Sequence, residues 1–204
     1  ENVMKIIAAT KNAHKVKELS EMLNIPSVEL VSLKDMGFDG EIEENGSTFE
    51  ENSAIKARFV CRKYGLPAIA DDSGLCVDYL SGAPGIYSAR YASADGHNSD
   101  DRANVDKLLG ELKGVSGADR SARFVCAITI AMPDGYEKTV TGTCEGLITN
   151  DIRGSSGFGY DPVFYYVPYA KTFGETTDEE KNAVSHRSAA VSLIKEELLK
   201  LLNV

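Results

Sequence analysis

Residues 4–23, MKIIAATKNAHKVKELSEML, decide the fold class. Residues 4–10 form an apolar run of strand length, and Val16, Leu19, Met22 and Leu23 then recur at the spacing of one helix face. A strand, a polar loop and a helix in that order open a βα unit, which pairs its strand in parallel with another. The loop itself, TKNAHK at 10–15, leaves free N–H groups and the positive helix end facing whatever lies beyond it. Lys11 and Lys15 add cationic donors. This combination suits a phosphate but lacks the G-x-x-x-x-G-K-[ST] pattern, and on this stretch alone a solvated turn with surface lysines reads as well.

Working outward, residues 28–33 are a second strand candidate, and Thr48-Phe49-Glu50-Glu51 is a capping box opening a helix that runs to about Tyr64 and closes at Gly65. Ile55, Phe59 and residues 61–64 give that helix an apolar side, while Asn52 and Lys56, four apart, share another face. PAIADDSGLCVD at 67–78 reads as a strand whose apolar run stops at two adjacent acids, which puts Asp71 and Asp72 at its carboxyl end, their side chains on opposite faces. A helix near 100–112, a strand at 123–132, a turn at Pro133-Asp134-Gly135 and a returning strand at 136–148 follow. A Gly-rich loop, RGSSGFGYDP at 153–162, precedes a last helix entered at Ser185 and carrying Val191, Ile194, Leu198 and Leu201. The order specifies an α/β protein with a mixed sheet and flanking helices.

The chain has 204 residues, 43% of them hydrophobic, enough for one ample core, so a single domain over 1–204 is expected. Glu1-Asn2-Val3 ahead of Met4 is read as an extension and left outside the fold. A net charge of -9 argues against polymeric nucleic acid or an anionic membrane as partner, so any polyanion must be met by local cations. No apolar run approaches the roughly 20 residues of a membrane span, and a soluble, cytoplasmic protein is expected. Cys61, Cys76, Cys126 and Cys144 are widely spaced, as buried free thiols of a reducing compartment are.

Asp71 and Asp72, followed by Ser73 and Gly74, carry the strongest chemical signal. Two neighbouring carboxylates repel each other, and a bound cation removes the repulsion. Hard oxygen ligands without nearby histidine or thiol favour Mg²⁺, with Mn²⁺ as a substitute, and Glu41, Glu43 and Glu44 offer a third carboxylate. The plainer alternative is a solvated acidic loop. Phe158-Gly159-Tyr160-Asp161 combines aromatic faces, glycine freedom and an acceptor, which suits a flat heterocycle, although core aromatics anchoring a loop give the same pattern. Ser185 is an N-cap candidate that places His186 and Arg187 at a helix start, against the macrodipole. Lys181 reads as a surface lysine unless the fold turns it inward, and His14 and His97 as ordinary.

The stretches AATKNAHKVKEL, ENGSTFEENSAIKA, PAIADDSGLCVDYLSGAPGIYSARYA, RGSSGFGYDPVF and EKNAVSHRSAA together resemble the inosine triphosphatase, or Ham1-like, family over nearly the whole chain. The resemblance implies Mg²⁺-dependent hydrolysis of ITP, dITP and XTP to the monophosphate and pyrophosphate. It also implies an elongated two-lobed domain with a central cleft, and a homodimer. Carried over residue by residue, it puts phosphate contacts on Thr10, Lys11, Asn12, Ala13, His14 and Lys15, and a metal-binding glutamate on Glu44. It puts a phosphate-facing lysine on Lys56, the metal-binding and catalytic acids on Asp71 and Asp72 with Ser73 beside them, and the base pocket on Phe158, Gly159, Tyr160, Asp161, Lys181, His186 and Arg187. Asp72 is then the general base. His14, where the family commonly has glycine, puts the loop backbone in question; Asn45 in place of threonine keeps a hydrogen-bonding side chain. A nucleotide-sensing module, a Maf-type pyrophosphatase acting on pyrimidine triphosphates and a stepwise phosphatase are the alternatives, which differ in products and substrates.

Overall fold

A computed structural model describes residues 3–203, the His14 side chain excepted. Seven strands form one sheet in the order β2-β1-β3-β4-β5-β6-β7: β1 Met4–Ala8, β2 Val28–Ser32, β3 Ala68–Val77, β4 Ser121–Ala131, β5 Glu137–Ile148, β6 Phe164–Tyr166 and β7 Lys171–Thr172. The helices are α1 Ala13–Leu23, α2 Phe49–Tyr64, α3 Asp101–Glu111, α4 Asp178–Asn182 and α5 His186–Leu201, with short 3-10 turns between. β1 pairs in parallel with β2, from Met4 opposite Val28 to Ala8 opposite Ser32, and with β3 at Ile7 opposite Ala68. β5, β6 and β7 pair antiparallel. The sheet is therefore mixed and flanked by helices, as the sequence specifies.

The chain forms two compact units. One comprises the stretch up to Asp72, Cys126–Gly142 and the stretch from Arg187; the other comprises Ser73–Val125 and Thr143–His186. In the first unit the alternation of side chains along a strand builds two cores. Ile6, Ala8, Ile69, Cys126, Ile128 and Ile130 pack with α1 and with Ala190, Val191, Ile194 and Leu198 of α5. Ile7, Ala68, Ala70 and Ala131 face the other way and pack with Ala57, Val60 and Cys61 of α2. The second unit has its own core, in which Leu75 and Val77 meet Val105 and Leu108 of α3 and the aromatic group Phe124, Phe164 and Phe173.

Thr48 caps α2 by accepting from the Glu51 amide at 3.1 Å, and Gly65 closes it in the left-handed conformation (φ 64). The reciprocal half of the box is displaced by one residue, because the Glu51 carboxylate accepts from the Ser47 amide at 2.6 Å. One boundary differs from the sequence reading. β3 does not stop at the acids but runs through them to Val77, so Asp71 and Asp72 lie in the middle of a strand that has β1 and β4 as neighbours. The end of the apolar run at the acids points to a strand end; the chain stays extended through them because strand pairing outweighs local propensity. All four cysteines are free, and Cys61, Cys126 and Cys144 are buried. Among the described residues no helix is long and apolar enough to cross a membrane.

Candidate active site

The position of the acid pair within β3 settles what each carboxylate meets. Asp71 follows Ile69 onto the α1 and α5 side, and Asp72 follows Ala70 onto the α2 side. Asp71 Oδ2 lies 3.8 Å from Lys15 Nζ on α1 and 3.5 Å from Arg187 on α5. Lys56 of α2 reaches the other side. Its Nζ donates to the Asp71 backbone carbonyl at 2.6 Å, lies 2.7 Å from Glu44 and stands 4.0 Å from Asp72 Oδ1. The pair is thus split between two sets of cations on opposite faces of one strand.

The two acids respond in opposite directions. Burial raises the Asp71 carboxyl, but Lys15, Arg187 and Lys56 together outweigh it and hold Asp71 well below the usual carboxylate range. For Asp72 burial dominates: Lys56 opposes it, Glu44 and Asp71 add to it, and the carboxyl is pushed up to about 6. Asp72 Oδ2 is buried and has no hydrogen-bond partner. Lys56, despite burial, is raised by Asp71, Asp72 and Glu44 and keeps its charge. A strand with two acids at its centre persists because each has its own counter-charge, a balance that breaks at a cost of several kcal/mol when one partner is removed.

The loop at 10–15 organises itself. The Asn12 amide donates to Thr10 Oγ1 at 3.1 Å, and the Lys15 amide donates to Asn12 Oδ1 at 3.4 Å, so Asn12 caps the first turn of α1. Lys11 Nζ donates to the Gly40 carbonyl at 3.0 Å and is turned along the chain. Thr10, Lys15, Asp71 and Arg187 line a small cavity of about 20 Å³, room for about one water. Ala13 lies at the exposed start of α1, and the His14 side chain lies outside the described residues. Arg187, grouped with the base pocket on the resemblance, is ion-paired to Asp71 and, at 3.6 Å, to Glu18 of α1. Glu18 carries no motif signal.

In the second unit the aromatic loop is pinned at three points. Asp161 Oδ2 accepts from the Phe158 amide at 3.0 Å and from Lys181 Nζ at 2.6 Å. The Tyr160 hydroxyl donates to the Ser88 carbonyl at 2.6 Å, and the Gly159 amide donates to Asp101 of α3 at 2.7 Å. Gly157 has φ 74, and a Cβ there would clash with Asp161 Oδ2, so the tight approach requires glycine. Lys181 lies 4.6 Å from the centroid of the Phe158 ring, and Phe158 itself is 56% exposed. His186 is buried and stacks on Phe124 at 4.8 Å. Ser73 is half-buried in β3. Lys181 is therefore turned inward, and Asp161 organises the loop instead of offering a free acceptor.

Glu44, Asp71 and Asp72 carry the hard oxygens a divalent ion prefers, and the unpartnered buried Asp72 Oδ2 fits such an ion. Their present partners are cations of the protein, and among the described residues no group of three or more His, Cys, Asp or Glu side chains is arranged to hold a metal. Asn52 carries no site signal in the sequence, yet from the helix face it shares with Lys56 its Oδ1 accepts from the Gly46 amide at 2.8 Å, beside Glu44.

A profile of the Ham1 family matches residues 6–197. The chain belongs to the Ham1 family. Its Ham1 relatives include a protein of Bacillus licheniformis, 52% identical over 91% of this chain and 93% of its own length. Another, from Bacillus cereus, is 47% identical over 97% and 96%, and each is named a dITP/XTP pyrophosphatase. Among solved structures, the Ham1 protein of Staphylococcus aureus superposes with a TM-score of 0.87 at 39% identity, covering 95% of this chain and 97% of that one. A Ham1 protein from Coxiella burnetii does so with a TM-score of 0.88 at 38% identity, covering 97% and 100%.

Proposed function

We propose that this chain hydrolyses dITP, XTP and ITP to the nucleoside monophosphate and pyrophosphate, with Mg²⁺ or Mn²⁺ as cofactor, as a cytoplasmic homodimer. Family membership and relatives named dITP/XTP pyrophosphatases at 47–52% identity support the substrate class. The observation that carries the reading within the site is Asp72: a buried carboxyl pushed up to about 6, with a free oxygen, beside Lys56.

In the metal-free protein a carboxyl of that strength is ionised at neutral pH and still basic enough to take a proton. Asp72 accepts it from a water that attacks the α-phosphorus in line. The bond from that phosphorus to the bridging oxygen breaks, and pyrophosphate leaves. Lys15, Lys56 and the amides at the start of α1 offset the charge of the tail in an otherwise acidic protein. Glu44 and Asp72, both beside Lys56, are the residues that would hold the divalent ion, which would supply charge neutralisation on the phosphate oxygens, while Asp71 on the opposite face pairs with Lys15 and Arg187 and is not placed to share that ion.

For the base, the exposed Phe158 ring offers a stacking surface, while Tyr160 is buried and anchors the loop; donors from His186, Arg187 or the main chain pair with the O6 acceptor of hypoxanthine or xanthine. Adenine carries a 6-amino donor there and leaves them unpaired. At about 1–3 kcal/mol per unpaired buried donor, two mismatches give roughly 10²-fold discrimination or more. A panel of ITP, dITP, XTP, ATP and dTTP with Mg²⁺, scored for both phosphate products, tests the reading. Pyrophosphate from the first three is expected; orthophosphate as the product, or preference for dTTP, overturns it.

A further inference from the structure

Asn52 stands outside the residues assigned above, yet it is 3% exposed in the first turn of α2, one helical turn before Lys56. Its Oδ1 accepts from the Gly46 amide at 2.8 Å. That acceptance fixes which way the side-chain amide points: the oxygen faces the loop that carries Glu44. One side chain thus ties the loop at 44–46 to the first turn of α2. The approach is tight. A Cβ on Gly46 would lie 2.7 Å from Asn52 Oδ1 and 2.7 Å from Glu51 Cβ, so the loop sits this close to α2 because residue 46 has no side chain.

The consequence concerns Glu44. Its carboxylate lies 2.7 Å from Lys56, and Lys56 is the same cation that faces Asp72 at 4.0 Å. We propose that Asn52 is a positioning residue: by clasping the Gly46 amide to α2, it holds the Glu44 carboxylate beside Lys56 and Asp72, in register for one divalent cation. The inference rests on the reaction proposed above and deepens it. Outer partners of this kind change metal affinity or activity by about 10–100-fold when removed.

Asn52→Ala removes the bond to the Gly46 amide, whereas Gly46→Ala keeps Asn52 and forces the loop off it, so the second variant tests the same link if the first does not fold. Three readings are taken on each: thermal unfolding, hydrogen exchange of the residue-46 amide in the metal-free protein, and pyrophosphate release from dITP as a function of Mg²⁺. The expected result is a residue-46 amide that exchanges at least about 10-fold faster and a Mg²⁺ concentration for half-maximal rate about 10-fold higher or more, with rate recovered at high Mg²⁺. Unchanged exchange and an unchanged Mg²⁺ requirement in both variants, with wild-type activity intact, overturn the inference alone. A lowered melting temperature with an unchanged Mg²⁺ requirement overturns it too, since packing alone would do that. Failure of the wild-type chain to release pyrophosphate would instead overturn the reaction on which the inference rests.

Discussion

At the scale of single residues, Asp71 and Asp72 show how one strand position decides chemistry. Neighbours in sequence, they face opposite sides of the sheet and titrate in opposite directions. Asp71, held down by its cations, contributes stability that is complete above the ordinary carboxylate value and is lost as pH falls towards its lowered one. Asp72 does the reverse. Between its ordinary value of 3.8 and about 6 the folded metal-free chain binds more protons than the unfolded one, so stability falls as pH rises through that window. The full penalty stands above pH 6 and is at most about 3 kcal/mol. Asp72→Asn should therefore lower pyrophosphate release about 10²-fold or more, while its melting temperature without metal gains on the wild type as pH rises from 4 to 7. Equal activity would remove Asp72 as base; a melting difference independent of pH would remove its raised titration. The sequence showed both acids and their repulsion. It could not show that each has a separate counter-charge, because Lys15, Lys56 and Arg187 come from three different helices.

At the scale of elements, α2 is the piece on which most of the site depends, since it carries Asn52 and Lys56 and is entered through the loop of Glu44. Its ends were legible from local chemistry: Thr48 as cap and Gly65 as stop need no knowledge of the rest of the chain. Thr48→Ala should cost about 1 kcal/mol, a fall of roughly 2–4 °C in melting temperature for a chain of this size, measured by thermal unfolding. No change would mean that Ser47 and Glu51 cap the helix unaided. β3 was legible only up to its acids, because propensity is local and pairing is not. β6 and β7, three and two residues long, are too short to show a period and exist through their pairing with β5.

At the scale of the whole chain, 31 acidic residues against 22 lysines and arginines describe a protein that repels polyanions in bulk. The cations that would meet a triphosphate are gathered instead: Lys15 and Arg187 on Asp71, and Lys56 on Glu44 and Asp72. Motif order along the chain made the family legible, since every quoted stretch falls within the matched 6–197. The site's internal wiring was not, because Asn52, Asp101 and Glu18, which carry no site signal in the sequence, reach Gly46, Gly159 and Arg187 through contacts that only the fold brings together. The most direct measurement is pyrophosphate release from dITP by protein stripped with EDTA and then titrated with Mg²⁺. A rate near zero that returns with Mg²⁺ is predicted, and a stripped protein as fast as the replenished one would contradict the account.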